Sequence, residues 1–209
     1  EYQKVVPDEL FDGYISNSFN EWITSGGFEF KSSGETDWIG TYDDSHDGSG
    51  SLQSGTVTSG TVPVLSTTVI GPTRISFWWK TTGGTQAYDS GHAFVSIDGK
   101  AKGGLTASLT PTGIAIGGNS DWQNVTLDIK GSGSHKIEWT FKRGFSKNSS
   151  VLIDEFSATS LVPVTLDLLG GSMVVPIEIM EPPGTMITLP SAADCTKPYH
   201  TLFGWNCGT

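Results

Sequence analysis

A chain of 209 residues with 27 glycines and a formal charge of −10 can hold one sizeable β domain plus a small one, or a single large sandwich. Its acidity argues against nucleic acid and anionic membrane surfaces as partners, because both demand a basic footprint. The same acidity suits a soluble extracellular protein and supplies carboxylates for calcium.

No apolar run approaches the ~20 residues that span a bilayer, so no membrane insertion is expected. No charged-then-apolar export signal precedes Glu1, and the chain reads as a mature or trimmed one. No window keeps a 3.6-residue apolar period over three turns, whereas Gly, Ser and Thr crowd the intervals between apolar runs. The fold class that follows is all-β dominated.

In chain order, residues 1–13 are polar and contain Pro7, which suggests an arm or a first edge strand. Residues 15–30 carry Phe19, Trp22, Phe28 and Phe30 around Ser25-Gly26-Gly27, a hairpin pattern. Residues 37–42 precede an acidic turn over 43–50. Residues 51–59 form a polar strand candidate and 62–70 an apolar one, which Gly71-Pro72 ends. In the next strand Ile75, Phe77 and Trp79 alternate with Ser76, Trp78 and Lys80, so the core is expected to form around Phe77 and Trp79.

Ala93, Val95 and Ile97 alternate up to Asp98-Gly99, a hairpin turn. The interval 100–120 reads as a long loop with at most one short strand. Val125, Leu127 and Ile129 share one face, as do Ile137, Trp139 and Phe141 beyond the turn Gly131-Ser132-Gly133-Ser134. Residues 151–156 read as a buried last strand with an acidic step. A boundary falls at Ser160-Leu161-Val162-Pro163, where proline density rises, dividing the chain into 1–161 and 162–209. Cys195 and Cys207, the two cysteines, read as one disulfide in an oxidising compartment, with two free thiols as the alternative; their spacing fits no zinc site.

Several pieces of the first region occur in a familiar order: Ser45-His46-Asp47-Gly48, Gln53-Ser54-Gly55, Gly71-Pro72, Ile75-Ser76-Phe77-Trp78-Trp79-Lys80, Ile97-Asp98-Gly99, Trp122-Gln123, Ser134-His135-Lys136-Ile137-Glu138-Trp139 and Ile153-Asp154-Glu155-Phe156. Together they resemble a jelly-roll module of large secreted and surface proteins, related in shape to MAM and concanavalin-like lectin domains. Val164-Thr165-Leu166-Asp167, Gly170-Gly171 and Leu202-Phe203-Gly204-Trp205 look like an internalin-type B repeat, a small β-grasp unit. Such repeats usually continue for another strand or two, so the unit is expected to be incomplete or completed by something else. The resemblance implies an antiparallel sandwich jelly roll plus a β-grasp-like domain. It also implies a secreted or cell-surface location and a non-catalytic role in attachment, display or spacing.

Three candidate sites follow. Asp43, Asp47 and Asp154 could hold a structural calcium, since Asp43-x-Ser45-x-Asp47-Gly48 alternates oxygen ligands and bends at glycine. An EF-hand is rejected because Ser54 stands where its bidentate Glu belongs. The alternative is a solvated Asx turn with Asp154 bonded to backbone. Trp78, with Trp38, Tyr42 and Tyr88 as neighbours, could offer rings to a sugar while nearby Asp and Asn side chains hold its hydroxyls. The competing reading buries Trp78 under the 100–120 loop. A glycosidase would need two carboxylates across one cleft, for which Glu138 and Glu155 are the weak candidates; no nucleophile elbow or zinc motif occurs, and no catalytic residue is assigned. Asn124-Val125-Thr126 and Asn148-Ser149-Ser150 are sequons.

The expected partners are glycans or surface proteins. The alternative is other copies of the chain, joined by strand addition in a surface layer or filament.

Overall fold

The structure is a computed structural model, and it describes residues 27–34, 36–55, 62–83, 91–106, 111–142, 149–173 and 179–206. The arm over 1–13 and most of the 15–30 hairpin lie outside these residues. The chain divides into two compact units, Glu1–Ala158 and Thr159–Thr209, and the division falls within a few residues of the expected boundary.

The first unit contains β1 (Lys31–Ser33), β2 (Trp38–Thr41), β3 (Ser51–Ser54), β4 (Val64–Thr82), β5 (His92–Ile97), β6 (Lys100–Ala101), β7 (Gly103–Leu105), β8 (Pro111–Gly113), β9 (Ala115–Gly117), β10 (Gln123–Lys142) and nearly all of β11 (Ser150–Ser160). Its main sheet runs β2-β3-β11-β4-β10-β5-β6, with β1 added beside β4 and β9 beside β5. The described pairings in this sheet are antiparallel. The fold is therefore all-β, a sheet curled on itself into a sandwich.

The curl comes from one ribbon. β4 and β10 pair along two stretches: Gln123 to Ile129 against Trp79 to Thr73, and Gly133 to Thr140 against Gly71 to Val64. The register slips between Ile129 and Gly133, where β10 bulges opposite Gly71. Here the structure corrects the sequence reading, which ended one strand at Gly71-Pro72 and turned another at Gly131 to Ser134. Each interruption lies opposite the other, so both strands bend together and the ladder resumes beyond the bend.

Gly71 and Gly131 permit this close crossing. A Cβ on Gly71 would lie 2.2 Å from the Gly131 carbonyl oxygen, and one on Gly131 would lie 2.9 Å from the His135 ring.

The two halves of the ribbon then face each other across the core. Phe77, opposite Val125 on one side of the bend, meets Trp139, opposite Leu65 on the other side, edge to face at 5.4 Å. Phe156 of β11 closes on Trp139 at 5.4 Å and on Phe30 at 5.4 Å. Ile75, Phe77 and Trp79 are fully buried or nearly so, as their alternation predicts. The interval 100–120 is more ordered than expected: β6 completes the Asp98-Gly99 hairpin with β5, β9 lies on β5, and β7 pairs with β8. Two glycines and a Pro-Thr-Gly triplet hide these short strands from a period-two search.

The second unit is built differently. β12 (Val162–Val164) pairs with β14 (Ile179–Glu181), and β13 (Ser172–Met173) with β15 (Cys195–Thr196), each as an isolated two-stranded ladder. Gly171 N–H closes a turn on the Leu168 carbonyl at 2.9 Å, and Trp205 Nε1–H donates to the Pro190 carbonyl at 2.8 Å. An open groove of about 840 Å³ runs past Leu166, Leu168, Leu189, Leu202, Phe203 and Trp205. The expected disulfide falls outside the described residues, because Cys207 does; Cys195, which is described, makes no disulfide within them. No helix among the described residues is long and apolar enough to cross a membrane.

Candidate functional site

On the first stretch of the ribbon, alternation sends Arg74, Ser76, Trp78 and Lys80 of β4 away from the core. Asn124, Thr126 and Asp128 of β10 turn the same way. Their contacts confirm a shared face. Asn124 Nδ2–H donates to Ser76 Oγ at 3.2 Å, Thr126 Oγ1–H donates to Asn124 Oδ1 at 3.2 Å, and Arg74 grips Asp128 through Nε at 2.6 Å and Nη2 at 2.9 Å. That fork pulls the Asp128 carboxyl below its ordinary pKa. The strip from Arg74 to Lys80 is about 20 Å long at the usual strand rise.

The acidic loop between β2 and β3 folds over one end of this strip. The His46 imidazole lies flat on the Trp78 indole, 3.7 Å between centroids and 14° between planes. Trp122 stands edge-on to His46 at 6.0 Å, and Lys80 Nζ lies 5.6 Å from the Trp122 ring centre. Asp44 ties the loop to both neighbours, receiving Lys80 Nζ at 2.6 Å and Trp122 Nε1–H at 3.3 Å.

The loop is also pinned from β11. Val151 and Ile153 face the core, and so does Phe156, because Glu155 takes a left-handed conformation (φ 49°) and shifts the alternation by one residue. Leu152 and Asp154 consequently point outward, yet both are buried, Asp154 to 1% exposure. The Asp154 carboxylate accepts the backbone N–H of His46 at 2.7 Å, Asp47 at 3.4 Å and Glu155 at 2.7 Å. Burial pushes its pKa up, against those amide bonds, which pull it down. The same bulge presents Glu155 to His46 Nδ1 at 2.6 Å.

The expected site residues are therefore distributed unevenly. Trp78 is half-buried, and what covers it is the acidic loop rather than the 100–120 segment. Tyr42 is exposed at the start of that loop. Trp38 is corrected: at 1% exposure it is a core residue and offers no ring to a ligand, because β2 turns it inward while Ile39 faces out. Tyr88 lies outside the described residues, as does the sequon Asn148. The sequon Asn124 is exposed, on the strip itself.

Asp43, Asp47 and Asp154 do not converge as a carboxylate cage. Asp47 is taken by Ser49, whose N–H and hydroxyl donate to it at 2.7 Å and 2.6 Å and lower its pKa. Asp154 faces backbone amides, as the Asx-turn alternative expects, and among the described residues no three His, Cys, Asp or Glu side chains gather around one point. The two carboxylates weighed for a glycosidase serve elsewhere: Glu138 takes Lys136 at 2.6 Å on one layer, and Glu155 takes His46 on the other. His46 and Trp122 are not among the expected site residues, and Glu155 is expected only as a weak glycosidase candidate. The left-handed backbone at Glu155 has no signature in the sequence.

The chain matches no known protein family and no curated protein. Among solved structures it is similar to a carbohydrate-binding module, TmCBM61 in complex with β-1,4-galactotriose, at 17% identity over 70% of this chain and 97% of that one, with a TM-score of 0.44. It is also similar to the CBM22-1 xylan-binding domain of Xyn10C from Paenibacillus barcinonensis (18% identity, 67% of this chain and 88% of that one, TM-score 0.36). A third is the secreted serine protease VesC from Vibrio cholerae (15% identity, 62% of this chain, TM-score 0.42), only 24% of whose length is covered. The similar structures thus include carbohydrate-binding modules alongside domains of enzymes, and an adhesin domain of Lys-gingipain belongs to the same set.

Proposed function

We propose that the first unit is a non-catalytic binding module that works outside the cell and takes a glycan on the outer strip of β4 and β10. The observation that carries this reading is the His46–Trp78 stack. A flat ring already lies on the indole at 3.7 Å, in the position and orientation a sugar ring adopts on an aromatic platform. Ser76, Asn124 and Thr126 continue from that platform as neutral donors and acceptors suited to hydroxyl groups. His46 is then a displaceable cover, held by the loop and by Glu155.

Affinity electrophoresis and calorimetry on a polysaccharide panel test this. Trp78→Ala is expected to weaken binding about tenfold or more, and His46→Ala to strengthen it severalfold by baring the indole. Binding that is indifferent to both substitutions would remove the site. Thermal melting with calcium and with chelator tests the structural calcium on the same loop. A midpoint raised by calcium supports an ion on the Asp43–Asp47 segment; an unchanged one leaves the loop held by its contacts with Lys80, Trp122, Asp154 and Glu155.

A second reading, assembly with other copies, rests on the other unit, which we propose to be related to B repeats. Its two described ladders are each only two strands wide, leaving backbone edges to accept a further strand. Met186, Tyr199 and Phe203 are fully exposed beside them. Negative-stain imaging and size-exclusion at high concentration distinguish the readings, since persistent monomers end this one.

A further inference from the structure

The glycan reading leaves the chemical class of glycan open, and the charges on the strip narrow it. We infer that the strip selects neutral polysaccharides and rejects those carrying uronate or sulfate groups. This inference rests on the proposed glycan site.

The strip has cations, but they are committed. Arg74 is clasped in a two-point fork by Asp128, and Lys80 is held by Asp44. Lys130, farther along β10, also acts on Asp128. Around the covered end the balance is negative: Asp43, Asp44 and Asp47 lie in the loop, Glu155 beside His46 and Asp154 beneath it. An anionic sugar reaching Trp78 would meet this acidic rim. To gain a cation it would also have to break a charge-assisted bond already made at 2.6 Å. A neutral sugar needs no such exchange, because Ser76, Asn124 and Thr126 lie between the two ion pairs with uncharged donors and acceptors. The ion pairs thus act against the wrong ligand as much as they support the sheet.

The test measures binding of the whole chain to neutral polymers (dextran, galactan, glucomannan) and to anionic ones (polygalacturonate, dextran sulfate), in wild type and in Trp78→Ala. The expected result is Trp78-dependent binding to at least one neutral polymer, at least about tenfold tighter than to any anionic one. Asp128→Asn, which removes the carboxylate that forks Arg74, is expected to narrow that gap by raising affinity for polygalacturonate. Melting curves confirm that the variant folds. Trp78-dependent binding to an anionic polymer at equal or greater affinity overturns the charge inference while keeping the glycan site. Failure of every polymer to bind overturns the glycan site itself, and the class inference with it.

Discussion

His135 shows how a single side chain organises a bend. Its Nδ1 meets Asp98 at 2.7 Å and its Nε2 meets the Gly131 carbonyl at 3.1 Å, so both nitrogens donate only when the ring is protonated. The Asp98 carboxylate is the main reason the His135 pKa is raised, and the same bond is the main reason the Asp98 pKa is lowered. The His135 contribution to stability is fully present below its ordinary value of 6.5 and is lost as pH rises through the raised folded value. The Asp98 contribution is present above 3.8 and is lost as pH falls through the lowered one. The latch is therefore complete between those two limits. Melting midpoints are expected to fall as pH rises above 6.5 and through the raised folded value, and His135→Ala to remove that part of the fall. An unchanged slope in the variant would show that the latch does not couple to folding. Asp98 is exposed and His135 only partly buried, so the effect is a modest one.

Among elements, the β4–β10 ribbon decides the architecture, and its glycines can be tested separately. Gly71→Ala places a Cβ 2.2 Å from a backbone oxygen that cannot move without shifting β10. It is expected to destabilise the protein by about 2 kcal/mol or more in urea unfolding. Gly104→Ala, in β7, meets nothing within 4 Å and is expected to be close to neutral. Equal effects would mean that the bend is not tightly packed. The ribbon also explains why alternation located both halves of β4 and β10 but misjudged their connection. Apolar periodicity reports which side chains face the core, whereas continuity of a ladder depends on the partner strand. Gly71-Pro72 reads as a stop in isolation and becomes a bend because the Gly131 to Gly133 bulge lies across from it.

At the scale of the whole molecule, the first unit has an aromatic core and the second has very little buried surface. Phe77 touches Trp79 at 5.5 Å and Trp139 at 5.4 Å, joining the two layers. Phe77→Ala is expected to cost about 3–5 kcal/mol by leaving a cavity between them, read as a lowered denaturation midpoint with an unchanged slope. A loss under about 1 kcal/mol would mean that the layers close without it. In the second unit only Leu161 and Pro190 are buried among the described residues. The sequence by itself determined the all-β class and the burial of Ile75, Phe77 and Trp79. Each of these follows from local composition and a period of two, which neighbouring residues carry. Only the tertiary structure decided that Trp38 belongs to the core, that His46 covers Trp78, and that Asp154 anchors the loop. The contacts of His46 with Asp154 and Glu155 join residues about a hundred positions apart. They depend on the bulge at Glu155 and the fold of one ribbon, which no local pattern encodes.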